Sequence, residues 1–224
     1  RGDEAMMQGL YKVKGDFTLM LKWDAYFGGS RPQMKQAEAA PPQKSTNMNI
    51  MLIPWIVLWA APAICRQEGC LISIATCALI PLIFYRNKKT VYDVLTNALV
   101  TFFSVTMLAG CSEKWILPLS YLSFGVMWLV SCFGKVPLTA HYSMNSYGGE
   151  DALQNPLFLK TNRILTILWG VLYLFTSVFT WFLMQTPVSC FVGLINSVLP
   201  VFMGIFTAWF QKWYPAKVAE GKLY

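Results

Sequence analysis

Ionisable side chains are scarce in this chain. Of its 224 residues only 13% are Asp, Glu, Lys or Arg, and histidine occurs once, as His141. Six apolar stretches contain none of these, apart from Asp93 at the mouth of the third. They run roughly over Asn49–Cys65, Cys70–Tyr85, Val91–Gly110, Trp115–Gly134, Ile164–Met184 and Val188–Trp209. Ion-coupled transporters and proton pumps carry ionisable groups inside the membrane, so this absence argues against coupled transport. No CxxC pair with a neighbouring histidine is present, which argues against a zinc site. No nucleophile elbow or phosphate loop occurs either, so no motif names a reaction, and neither a metal nor a cofactor is expected. The chain opens without a basic segment leading into a short apolar run and a cleavage site, so no secretory signal is expected. Arg1 stands where an initiator Met would be, as in a fragment or a processed form.

What is abundant is apolar: 55% of the residues are hydrophobic, and the mean hydropathy is positive. Each stretch has about the 17–25 residues that a bilayer-spanning helix needs, the first two lying at or just under the short limit. The segments between them alternate in positive charge. Seven Lys and Arg precede the first stretch, and the following gaps carry one, three, one, three and none, with three in the tail. Alternate sides therefore hold 16 and 2 basic residues. With only Lys35 and Lys44 kept from the N-terminal region, the split is 11 to 2. Basic loops stay on the cytosolic side, which predicts an all-α membrane protein, a six-transmembrane helix bundle over 49–215, with both termini cytosolic. The membrane expected is a plasma or cytoplasmic one. The net charge of +7 sits in these loops, where orientation and anionic lipid headgroups account for it, and no nucleic-acid partner is expected.

This topology puts Cys65, Cys70, Cys111 and Cys190 at the outer ends of spans. They can form two disulfides if that side is oxidising, or they serve as small apolar residues tolerated in spans. Trp55, Trp59, Trp115 and Trp181 on the outer side, and Tyr85, Tyr92, Trp209, Trp213 and Tyr214 on the inner, fit aromatic belts at the interfaces. Polar residues recur at helical spacing on three stretches: Asn97, Thr101 and Ser104; Trp169, Tyr173, Thr176 and Thr180; Gly193, Asn196, Pro200 and Gly204. Packing and interhelical hydrogen bonding explain such stripes most simply. The functional alternative is a cavity for an amphipathic ligand, with Asn97, Tyr173 and Asn196 as candidate lining residues. The long inner segment from Lys135 to Arg163 holds His141 and reads as a loop.

The first 29 residues differ from the rest. Leu10–Lys14 alternates as a half-buried strand does. Gly15-Asp16 supplies a turn and a helix cap, and Phe17, Met20, Leu21 and Phe27 follow helical spacing up to Gly28-Gly29. A strand, a tight turn and an amphipathic helix are expected there, a short α/β remnant of a soluble domain. The run from Ala5 to Phe27, with Gly9, Lys12, Val13, Lys14, Gly15, Asp16, Leu19, Lys22 and Phe27 in register, resembles the C-terminal end of the sterol carrier protein 2-like domain. Leu10-Tyr11 departs from the usual Lys-Leu pair. The resemblance covers about residues 5–28 and implies a cytosolic α/β fold with a tunnel for a sterol or fatty-acyl ligand, closed in part by the helix that carries Phe17, Met20, Leu21 and Phe27. Most of that tunnel is expected upstream of Arg1. Residues 30–48, rich in Ala, Gln and Pro, read as a semi-extended linker, and 216–224 as a cytosolic tail.

The expectation is a multi-pass membrane protein handling a lipid or sterol-like apolar ligand, with membrane lipids as its partners. Two alternatives stand beside it: the membrane anchor and substrate-delivery part of a larger enzyme, a redox enzyme included, and a non-catalytic scaffold. The oligomeric state is left open.

Overall fold

The computed structural model describes residues 48–84, 89–147 and 149–221, without the side chains of Ala63 and Cys190. All of them belong to the second of the chain's two units, Pro42–Tyr224. The expected strand, turn and helix of residues 1–29, including Phe17, Met20, Leu21 and Phe27, and the linker up to residue 47 lie outside the described residues. Among those described there is no strand; the structure is a bundle of helices.

Among the described residues seven helices follow one another: α1 Met48–Ala60, α2 Arg66–Ile83, α3 Val91–Leu108, α4 Glu113–Ser131, the short α5 Leu138–Ser143, α6 Pro156–Leu183 and α7 Val192–Ala219. Single 3-10 turns lie at Ala61–Ala63, Met144–Ser146, Gly149–Gln154 and Pro187–Phe191. Four helices among the described residues are long and apolar enough to cross a membrane, namely α2, α3, α6 and α7. Of the six expected spans, the remaining two correspond to α1 and α4, which do not meet that criterion of length and hydropathy. At 13 residues α1 is about 20 Å long at 1.5 Å per residue, short of a hydrocarbon core of about 30 Å. Helix α4 has 19 residues but opens on Glu113-Lys114 and carries serines. The reasons differ: α1 is strongly apolar but short, whereas α4 is long enough but diluted by its polar residues. Both pack against protein, burying Trp55, Leu58, Phe124 and Trp128 completely.

The helices run antiparallel in sequence. Arg66, at the start of α2, donates to the carbonyls of Met107 at 2.8 Å and Cys111 at 2.6 Å and faces Glu113 at 3.7 Å. This joins the α1–α2 turn to the α3–α4 turn at one end of the bundle. At the other end, Thr90 caps α3 in a reciprocal box with Asp93, and the Tyr142 hydroxyl of α5 donates to Asp93 Oδ1 at 2.9 Å. The segment expected as a long loop is thus a folded elbow. Leu138, Thr139, Ala140 and Tyr142 are buried, and Thr139 donates to the Asn162 carbonyl at 2.7 Å. Asp93→Ala removes the carboxylate half of the capping box and the acceptor of Tyr142, leaving the Thr90 cap, and is expected to cost about 1–2 kcal/mol, read as a lowered thermal midpoint of the detergent-solubilised protein. A midpoint equal to wild type would show that the elbow is held elsewhere.

The tightest crossing joins α4 to α6. A Cβ on Gly125 would lie 3.0 Å from both the Gly170 carbonyl and the Leu174 amide nitrogen, so only glycine permits the two backbones this proximity. Ser177 closes the contact by donating to the Pro118 carbonyl at 2.7 Å. Helix α7 packs along α6 and touches α1 only sparsely. It is the peripheral helix, with Leu194, Val201, Phe202 and Ile205 at 62–70% exposure, as expected of a lipid-facing surface.

Candidate functional site

Sparse contact between α1 and α7 leaves a cleft of about 370 Å³. One wall is α1 (Met48, Asn49, Leu52, Ile56, Trp59, Ala60) and the other is α7 (Gly193, Asn196, Ser197, Pro200, Val201, Gly204). Tyr121 of α4 and Trp169 and Tyr173 of α6 form the floor. The floor residues are buried, whereas Ile56 and Val201 on the rims are 54% and 62% exposed. The cleft therefore opens sideways, onto the apolar flank of the bundle.

The aromatic floor is built by indoles whose N–H groups are satisfied across helices. Trp59 donates to Ser120 Oγ at 3.0 Å, Trp169 to Thr207 Oγ1 at 3.0 Å, and the fully buried Trp55 behind them to Thr96 Oγ1 at 3.2 Å. A buried indole keeps its apolar payload only when its N–H finds a partner. Rings then stack: Trp59 on Tyr121 with centroids 4.2 Å apart, and Trp169 on Tyr173 at 5.7 Å. Trp55 thus belongs to the core, and the outer belt assigned to it is corrected, whereas Trp59 is half-buried against that core and lines the cleft. Helical spacing alone does not distinguish an interfacial Trp from a buried one. Trp115, at 61% exposure, remains on the outside of the bundle.

One polar group in the cleft is incomplete. Asn196, 2% exposed, donates from Nδ2 to Thr180 Oγ1 at 2.7 Å. Thr180 spends its own proton on the Thr176 carbonyl at 2.6 Å. The hydroxyl must therefore accept from Asn196, which fixes the orientation of the amide. Asn196 Oδ1 is left buried without a hydrogen-bond partner. The Tyr121 hydroxyl lies beside the amide without completing that bond. Ser104 Oγ and Trp128 Nε1 are also unpaired, but neither residue lines the cleft.

Of the residues singled out in the sequence, Tyr173 and Asn196 come together here, with the whole Gly193, Asn196, Pro200, Gly204 stripe along one wall. Asn97 lies elsewhere, in a second cavity of about 240 Å³ with Pro54, Pro81, Lys89, Asp93 and Thr96. Trp59 and Tyr121 were missed as lining residues. The only signal for them was the glycine pair, Gly125 and Gly170, marking where α4 and α6 cross deeply enough to set a floor. Cys65 and Cys111 are exposed free thiols, and Cys70 is a buried one whose Sγ lies 3.6 Å from Met107 Sδ. Among the described residues no group of three or more His, Cys, Asp or Glu side chains is placed to hold a metal. No family model matches this chain, and no curated protein or solved structure matches it either.

Proposed function

We propose that this chain is a multi-pass membrane protein that takes a lipid or sterol-like molecule into the lateral cleft between α1 and α7. The observation that carries the reading is the cleft's construction: an aromatic, buried floor, few polar groups at depth (the Asn196 amide and the Tyr121 and Tyr173 hydroxyls), and a mouth on the apolar flank where acyl chains would lie. Small-molecule sites are concave and mostly apolar with few polar groups, and a sideways mouth lets a bilayer component enter without crossing water. Six spans with both termini cytosolic complete the reading. Helices α1 and α4 cross with the other four because the alternation of basic segments requires each of them to change sides. The N-terminal region's resemblance to a sterol carrier protein 2-like end supports the same ligand class, with that region delivering to the bundle.

Gly204 offers the test. A Cβ there meets nothing within 4 Å, so Gly204→Trp projects a ring into open space and displaces no backbone. The full chain purified in mild detergent is expected to retain lipid or sterol detectable by mass spectrometry, and Gly204→Trp to retain about tenfold less, a difference of ~1.4 kcal/mol. Equal retention by both proteins would remove the cleft as the site. Topology has its own readout. A membrane-impermeant maleimide added to intact cells is expected to label the exposed Cys65 and Cys111 and to leave Cys132, at the opposite end of α4, unlabelled until the cells are opened. Labelling of Cys132 in intact cells would invalidate the six-span arrangement.

A further inference from the structure

The cleft's polar mark selects the kind of lipid, an inference that rests on the reading above. Asn196 Oδ1 is an acceptor with no donor, and the partner bonds of Thr180 and Thr176 prevent the amide from turning its NH2 outward instead. A buried orphan acceptor is rare and costly, and a ligand donor at that point removes the cost. The Tyr121 phenol, 3% exposed, lines the same cleft and accepts from the Asn196 amide, so its own O–H remains to be donated. A group able to donate to Oδ1 and to accept from the phenol is a hydroxyl. An ionised carboxylate or a phosphodiester offers only acceptors and would set its charge against Oδ1. Among the described residues no Lys or Arg lines the cleft to receive an acid.

We propose that this cleft binds a neutral lipid alcohol (a sterol or another apolar molecule with a free hydroxyl) and discriminates against fatty acids, with Asn196 and Tyr121 as the residues that read the headgroup. The hydroxyl donates to Asn196 Oδ1 and accepts from Tyr121, while the hydrocarbon body lies between Leu52, Ile56, Pro200 and Val201.

The test is equilibrium binding to the full chain in detergent at pH 8, with radiolabelled cholesterol and 1-hexadecanol, each against its O-methyl ether, and with palmitate. At least one alcohol is expected to bind about tenfold more tightly than its ether, one good hydrogen bond's worth, and palmitate to bind no better than the ether. Whichever alcohol binds more tightly identifies the source of the hydroxyl. Asn196→Leu leaves no donor stranded, because Thr180 already spends its proton on Thr176. It is expected to erase the preference for alcohol over ether while the ether still binds. Tyr121→Phe is expected to reduce the preference in part, and it keeps the test decisive should Asn196→Leu fail to fold. Binding of alcohol, ether and acid alike, or a preference that survives Asn196→Leu, overturns the headgroup assignment and leaves the lipid cleft standing. No binding of any probe overturns both.

Discussion

Replacing Trp55 by Ala is expected to destabilise the bundle by about 3–5 kcal/mol, the range for emptying a fully packed aromatic site. Trp55 is 0% exposed and sits 4.7 Å from Phe124 and 6.5 Å from Phe103 between ring centroids. Its N–H is what ties α1 to α3 through Thr96. In a membrane little hydrophobic force brings helices together, so close dispersion contacts and cross-helix hydrogen bonds carry the association. Truncation removes both. It also leaves the Thr96 hydroxyl, 1% exposed, without its donor, which puts the loss towards the upper end of the range. Trp55→Phe, which keeps a ring, is expected to lose less. The measurement is reversible unfolding in mixed micelles or the midpoint of a thermal melt. A change under about 1 kcal/mol would mean that α1 is not a core helix, and the cleft would then lose one wall.

Gly69→Val is expected to be comparably damaging for a different reason. A Cβ on Gly69 would lie 2.4 Å from the Ala61 carbonyl carbon and 2.4 Å from the Pro62 nitrogen. Both are backbone atoms of the turn between α1 and α2, so no side chain can swing aside. Relief requires the turn itself to move and with it Arg66, whose guanidinium holds the α3–α4 turn. Overpacking of this kind costs about 1–3 kcal/mol and occasionally more, and contact with backbone belongs at the upper limit. Gly204→Ala is the matching control. With open space around its Cβ, it is expected to be neutral or to stabilise α7 by up to about 1 kcal/mol. Equal melting temperatures for Gly69→Val and Gly204→Ala would contradict the close approach at the α1–α2 turn.

The sequence disclosed elements better than it disclosed partners. All six apolar stretches are helical, because long runs free of charge leave the chain no other way to satisfy its backbone. Their ends were less visible. Helix α6 starts at Pro156 rather than Ile164 because Asn155 accepts from the Leu157 and Phe158 amides at 2.9 and 3.2 Å and Pro156 takes the first helical position. That Asn-Pro signal lies in a polar segment where hydropathy has nothing to report. Helix α7 likewise continues through Pro215 to Ala219, into the segment assigned to the tail. The stripe of Trp169, Tyr173, Thr176 and Thr180 was legible as a face, and the stripe of Gly193, Asn196, Pro200 and Gly204 as another. Periodicity cannot say which faces meet. The Asn196–Thr180 bond and the floor laid by Tyr121 depend on how α4, α6 and α7 cross, and that is set by the Gly125–Gly170 approach. The same limit applies to Trp55, whose identity fits an interface and whose place is the core.

The most direct test is where a lipid touches the chain. A photoactivatable cholesterol carrying its free hydroxyl, incorporated in vesicles with the full chain and crosslinked, is expected to label α1 around Leu52–Trp59 and α7 around Asn196–Gly204. Labelling should fall about tenfold in Gly204→Trp, in step with the expected loss of affinity. Crosslinks spread evenly over the exposed flanks of α2, α3 and α7, and unchanged in Gly204→Trp, would contradict a lipid-binding cleft.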